Sequence, residues 1–269
     1  MPRVSASPLW QDDCNTLHQH SAETVQQSPD SAIPKEKILI IIIDDIGHQL
    51  QLGRAAVDLP GKLNFAVLPH TPYGKSLAER AHQLGKEVLL HAPMSNVARS
   101  PAGPGELTAE LSEPDFRTML SENLAQVPYA RGVNNHMGSA LTQQRLQMGW
   151  VMEELQQRDL YFVDSRTING SVAARTAQDY GVPHLSRQVF LDNERSHEAI
   201  HERFREVLEL VNKNGSALAI GHPYPETIDY LRDNLPLLAA LGIKLAYVSE
   251  RIAPPRGSYS RTSTPRSAI

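Results

Sequence analysis

The sequence has a single cysteine, Cys14, which excludes an internal disulfide framework and any multi-cysteine metal site. No apolar run reaches the roughly 18–20 residues that a membrane-crossing helix needs. There is no G-x-G-x-x-G and no G-x-x-x-x-G-K-[ST], so the glycine-rich phosphate cradles of nucleotide-binding sheets are missing. A formal net charge of −4 supplies no basic field, and nucleic acid is not an expected partner. No stretch repeats. At 269 residues the chain is long enough for one large domain or two small ones.

What is present divides into three parts. Residues 1–36 are polar, rich in Ser and Gln, and lack the apolar core of a signal peptide. Residues 253–269 are rich in Pro, Ser and Arg. Both read as disordered, with an ordered domain expected over 37–252. In that domain short apolar runs alternate with helical patterns. The runs "KILIIIID" (37–44), "LNFAVLP" (63–69), "KEVLLHAP" (86–93), "RGVNNHMG" (131–138), "LYFVDS" (160–165), "RQVFLDN" (187–193), "SALAIGHP" (216–223) and "IKLAYVS" (243–249) are too short for ordinary helices and read as strands. Between them, Leu77, Ala81 and Leu84 share a helix face. Ser112 with Pro114 marks a helix start, and "LTQQRLQMGWVMEELQQRD" is amphipathic. The pattern of Ile200, Phe204, Val207, Leu208 and Val211 stops at Gly215, and Pro236 must kink or split the last helix. Seven or so such units predict an α/β fold with a mostly parallel sheet, closed or nearly closed into a (β/α) barrel.

Polar residues recur where these strands end: Asp44 and Asp45, His70, His91, His136, Asp164, Asp192 and His222. In a parallel barrel the C-terminal strand ends share one face, where active sites sit. An Asp after a strand often caps the next helix, and a single His is often a satisfied polar group. His70, Asp164 and Asp192 are open to those readings. Asp45, His91 and His136 come from three separate loops. Two imidazoles and a carboxylate form a known catalytic zinc set with an open fourth position, and Fe, Mn, Co or Ni suit the same donors. Such a cation lowers the pKa of a bound water toward about 7, and a second carboxylate can take its proton. Adjacent strand residues point to opposite sides, so the pair Asp44–Asp45 needs a bend to serve one site. His48 is expected to open the next helix, outside the chemistry.

The motifs "IIIDDIG", "FAVLPHTPYG", "EVLLHAPM", "NNHMGS", "YFVDSRT", "VFLD" and "AIGHPYPET" together resemble the divergent polysaccharide deacetylases, relatives of the NodB-type carbohydrate esterases. The resemblance runs from Ile38 to Ser249. It implies a deformed (β/α) barrel and divalent-metal-dependent deacetylation of an N- or O-acetylated glycan, with zinc as the expected cation. It makes Asp44 the general base, Asp45 a metal ligand and His222 the general acid. The family's second metal histidine, four residues after His91, is replaced here by Ser95, and His136 is the candidate substitute. The family's Arg-Pro-Tyr and Asp-Trp motifs have no clear counterpart. Arg166 and Arg187 are candidates to orient the base or meet substrate, and Asp164 or Asp192 to orient His222. Family members acting on envelope glycans are usually exported, which favours the periplasm, although this N-terminus shows no export signal. A glycan-binding protein that keeps the metal without turnover is the alternative from another class, and a hydrolase of another amide or ester is a third. The two-residue spacing of aspartyl-phosphate enzymes is missing, because Ile46 stands at the second position. The sequence carries no signal of oligomeric state.

Overall fold

The computed structural model describes residues 36–252. Cys14 and the segments read as tails lie outside the described residues, apart from Glu36. Strand β1 (Lys37–Ile46) carries the longest apolar run and is an interior strand of the sheet. It is followed by α1 (Leu50–Val57), β2 (Asn64–Val67), α2 (Gly74–Gln83) and β3 (Glu87–Met94). Next come α3 (Glu113–Gln126), β4 (Ala130–Met137), α4 (Arg145–Gln157), β5 (Tyr161–Asp164) and α5 (Ala173–Asp179). The chain continues through β6 (His184–Ser186), β7 (Val189–Phe190), α6 (His197–Asn214), β8 (Ser216–Gly221), α7 (Pro225–Asn234) and β9 (Ile243–Leu245).

The nine strands are parallel and ordered β6-β5-β4-β3-β2-β1-β8-β7, with β9 added against β1. This is the expected α/β barrel, curled but not closed by strand pairing. No ladder joins β6 to β7. Arg187 and Gln188 cross the gap instead: the Arg187 N–H donates to the Asp164 carbonyl and the Gln188 N–H to the Leu218 carbonyl. The run expected over 187–193 is therefore a two-residue strand beside a seam, and β6 just before it has no counterpart in the sequence reading. Its short, half-buried segment "HLS" offers too weak a pattern. Helix α5 is likewise additional.

Local signals explain the remaining elements. The Ser112 hydroxyl accepts from the Asp115 N–H at the start of α3, and Gly215 ends α6 in the left-handed conformation. Pro236 stands inside a 3-10 turn (Leu235–Leu241) that follows α7, so the last helical pattern is split there.

Strand alternation sorts the core into two layers. Leu39, Ile41 and Ile43 of β1 face outward into the large cluster shared with the helices. Ile38, Ile40 and Ile42 face inward, with Ala66, Leu89, Tyr161, Val163, Leu218 and Ile220, and fill the barrel. Burial on both faces is why β1 reads as an unbroken apolar run. Below this layer, at the N-terminal strand ends, the buried Glu87 carboxylate accepts from Tyr161 Oη (2.8 Å), the Ser249 N–H (3.0 Å) and the Ser249 hydroxyl. Asn64 accepts from the Val248 N–H, which closes that end with the last described residues.

Candidate active site

Extending the inward rows past the apolar layer gives the site. After Ile38, Ile40 and Ile42 comes Asp44; after Leu89, His91; after Leu218 and Ile220, His222. On β4 the inward positions are Asn134 and His136, and Asn134 lies in register with His91. Asp164 shares the parity of Phe162, which faces the helices.

Asp45 breaks the alternation. Its φ is +56°, in the left-handed region, and the β1–β2 register gains one residue between Ile43 and Ile46. This bulge turns the second carboxylate back toward the first. Gly47 follows at φ +143° with its Cα against Thr71, where a Cβ would stand 2.1 Å from Oγ1. Only glycine admits that backbone approach.

Asp45 Oδ1 lies 3.0 Å from His136 Nδ1 and 3.2 Å from His91 Nε2, and those two nitrogens are 3.1 Å apart. Despite this proximity, Asp45 Oδ1 is buried and makes no aligned hydrogen bond. Burial opposes its charge, but the two imidazoles hold the carboxyl well below the usual carboxylate range. Among the described residues these three form the one group with metal-ligand spacing. An orphaned oxygen facing two nitrogens is what a divalent cation would satisfy, so the residues fit the implied metal. Ser95 takes no part. Its N–H donates to the Leu107 carbonyl, and its own carbonyl accepts from Ala140 and Leu141.

Asn134, which the sequence reading did not single out, ties the parts together. It is fully buried. Its Nδ2 donates to Asp44 Oδ1 at 2.8 Å, and its Oδ1 accepts from His91 Nδ1 at 2.8 Å. A proton on Nδ1 leaves the His91 Nε2 lone pair directed at the cluster. The detectable signal was its parity with His136. Asp44 is itself buried, which pushes its carboxyl above the ordinary value; the charges of His91 and His222 and the Asn134 bond work against that rise.

His222 stands on the other side, its Nε2 3.9 Å from Asp45 Oδ2. Its Nδ1 donates to Asp192 Oδ1 (2.8 Å), while Asp192 Oδ2 accepts from the His222 N–H (2.6 Å) and the Thr227 hydroxyl (2.7 Å). Burial acts against the imidazolium, yet Asp192 and the charges of Asp44 and Asp45 prevail and raise the pKa to about 9. Phe190 and Tyr224 both stack on the ring. Beside Asp45, Gly47, Leu52, Pro223 and Tyr224 line a cavity of about 170 Å³, which His48 also borders.

The other candidates lie around this centre. Asp164 points away, accepting from the Arg166 N–H and the Ser171 hydroxyl. His70 bonds Asn123, which in turn donates to the Gly105 carbonyl, and so joins two loops. Neither Arg166 nor Arg187 bonds Asp44. Arg187 donates through Nε to the Ser165 carbonyl and through Nη2 to the Arg166 carbonyl.

A family model described as divergent polysaccharide deacetylase matches residues 41–252. An uncharacterized protein of Escherichia coli K12, YibQ, is 38% identical over 201 residues, covering 74% of this chain and 63% of that protein, so the matched region spans less than two thirds of its length. An uncharacterized protein of Haemophilus influenzae Rd is 35% identical over 222 residues, covering 81% of this chain and 79% of that one. The crystal structure of the uncharacterized protein ATU2773 from Agrobacterium tumefaciens C58 shares the fold, with a TM-score of 0.77 at 21% identity, over 81% of this chain and 90% of that one.

Proposed function

The chain belongs to the divergent polysaccharide deacetylase family, whose name denotes hydrolases of acylated glycans, and we propose that it removes acetyl groups from an N- or O-acetylated glycan using a divalent cation, zinc first, held by Asp45, His91 and His136. The observation that carries this reading is the orphaned Asp45 oxygen among two imidazole nitrogens, with the Asp44 carboxyl and the His222 imidazole beside it. A cation bound there would polarise the acyl carbonyl and bring a water pKa toward about 7.

The chain's own groups do the rest. Asp44 takes the proton of the attacking water. Burial raises its proton affinity, and the Asn134 amide fixes one oxygen so that the other is presented. His222, whose imidazolium the Asp192 carboxylate favours, carries the proton for the leaving amine on Nε2. Asp192 orients that ring through Nδ1 and is itself held by Thr227. Asp44 and His222 thus approach the scissile bond from opposite protonation states, as general base and general acid require.

Acetate release from N-acetylglucosamine oligomers and peptidoglycan, before and after chelation and re-addition of zinc, tests the reading. Release that chelation abolishes and zinc restores supports it. No release from any acylated glycan by the fully loaded protein refutes it; glycan binding that then survives Asp44→Asn would assign the chain a binding role.

A further inference from the structure

The seam between β6 and β7 places two arginines at the rim of the site. Arg187 spans the gap with its backbone, and its guanidinium is half-buried and anchored. Of its five N–H donors, one bonds the Ser165 carbonyl at 2.6 Å and one the Arg166 carbonyl at 2.8 Å. The face of the group rests on Phe190, with Cζ 3.8 Å from the ring centroid. The other three donors have no protein acceptor among the described residues. Among the described residues no carboxylate lies within ion-pair distance of it, in contrast to Arg80, Arg117, Arg145 and Arg158, which all have one.

A second cation is held beside it. Arg166 has φ +47°, a left-handed conformation that a residue with a side chain rarely adopts, and Asp164 fixes it there by accepting its N–H. Its side chain is exposed and bonds nothing among the described residues. Burial first, and then the Arg166 charge, hold the Arg187 guanidinium below its ordinary pKa, and the charges of Asp164 and Asp44 offset that fall only in part. Two like charges near each other, neither in ion-pair contact with a carboxylate among the described residues, are eased only in part by the more distant Asp164 and Asp44 charges, and a bound anion would relieve them further.

Their place defines which part of a substrate they meet. Arg187 stacks on Phe190, and Phe190 stacks on His222 at 5.9 Å. The cavity beside Asp45 is bordered instead by Tyr224 and Pro223. The arginines therefore lie on the Phe190 side of the acid that serves the leaving sugar amine.

We infer that Arg187 and Arg166 form an anion subsite and that the glycan carries a carboxylate or phosphate close to the sugar that loses its acyl group. A rigid guanidinium with open donors suits the planar, two-oxygen edge of either anion. This rests on the deacetylase reading for its substrate but not for its anion.

The test uses the zinc-loaded protein and four N-acetylglucosamine trimers: unmodified, carrying a C6 carboxylate, a 3-O-carboxyethyl ether, or a C6 phosphate. The expected result is a higher kcat/KM for at least one anionic trimer, through KM, with a preference that shrinks as salt rises. Which anion is preferred identifies its source. In Arg166→Gln and Arg187→Gln the ratio of anionic to neutral kcat/KM should fall by roughly tenfold or more, the size of one lost charge-assisted hydrogen bond. Arg187 also ties two carbonyls, so Arg166→Gln, which removes no bond to the protein, is the variant whose folding is secure. Equal turnover of all four trimers, or an unchanged ratio in Arg166→Gln, overturns the subsite. If no trimer releases acetate, the deacetylase reading fails separately and calorimetric binding of the same trimers decides. Tighter anionic binding lost in Arg166→Gln supports the subsite, and equal binding overturns it.

Discussion

Replacing Asn134 with leucine perturbs the site without replacing a group that reacts. The side chain keeps its branched shape and loses both polar ends. Asp44 Oδ1 then loses its 2.8 Å donor, and His91 Nδ1–H loses its 2.8 Å acceptor, both in fully buried surroundings. A hydrogen bond to a charged group contributes about 1.5–3 kcal/mol, and a stranded buried donor costs about 1–3 kcal/mol. Partial relaxation makes about 3 kcal/mol a fair expectation, which in a domain of this size lowers Tm by roughly 6–12 °C. The imidazole of His91 is also freed to rotate or to move its proton to Nε2. Loss of an outer partner to a ligating histidine typically weakens metal binding by about 10–100-fold. Zinc affinity measured by competition with a chromophoric chelator, alongside thermal unfolding of the metal-free protein, reads the two effects separately. An affinity within about twofold of the parent, whatever happens to Tm, would show that Asn134 does not set the state of His91.

Three further outcomes follow from the same geometry. Asp44→Asn should retain the cation, since Asp45, His91 and His136 remain, while turnover falls by about 10²–10⁴-fold; lost zinc by elemental analysis would make Asp44 a ligand instead. In the pH profile, His222 is raised from 6.5 to about 9, so the protonated acid, and the stability it contributes, is fully present below 6.5 and is lost as pH climbs through 9. A cation on Asp45 cancels part of the carboxylate field and brings the limb of the loaded protein between those values, and Asp192→Asn should move it further down; a basic limb that does not move with Asp192→Asn rules out His222 as the acid. Gly47→Ala combines a left-handed φ of +143° with a Cβ 2.1 Å from Thr71 Oγ1 and should destabilise by about 1–3 kcal/mol, seen as a lower Tm; an unchanged Tm would mean that the turn after Asp45 is free to move.

Much of this was legible because β-strands carry a two-residue code. The run "ILIIII" required a strand buried on both faces, and alternation along it delivers Asp44 to the barrel interior. The same rule, applied on β5, puts Asp164 with Phe162 on the helical side and explains why Asp192, not Asp164, holds His222. Asp45 was legible only as a problem. Its answer is a left-handed residue in a one-residue register gain, and no side-chain pattern announces that. Asn134 was overlooked because an asparagine in a strand carries no chemistry of its own; its importance lies in facing Asp44 and His91 at once, a relation between three strands. Strand β6 and the seam at Arg187–Gln188 were hidden for a different reason: barrel closure there uses individual backbone bonds rather than a periodic run.

The position of β1 has a consequence for how the protein is made. Its upper half pairs with β2, from the next stretch of chain, but along Ile38–Ile43 its other edge waits for Ser216–Gly221, and Lys37–Leu39 wait again for Ile243–Leu245. The strand that bears both aspartates leaves the ribosome early and is flanked on both sides only when the last part of the domain has been synthesised. Until then it is an apolar segment with an open edge, of the kind that invites misassociation. Long-range parallel pairing of this sort is slow, so the site should arise late and all at once, and a nascent chain ending at Asn214 should have the residues for binding a cation without the ability to hold one.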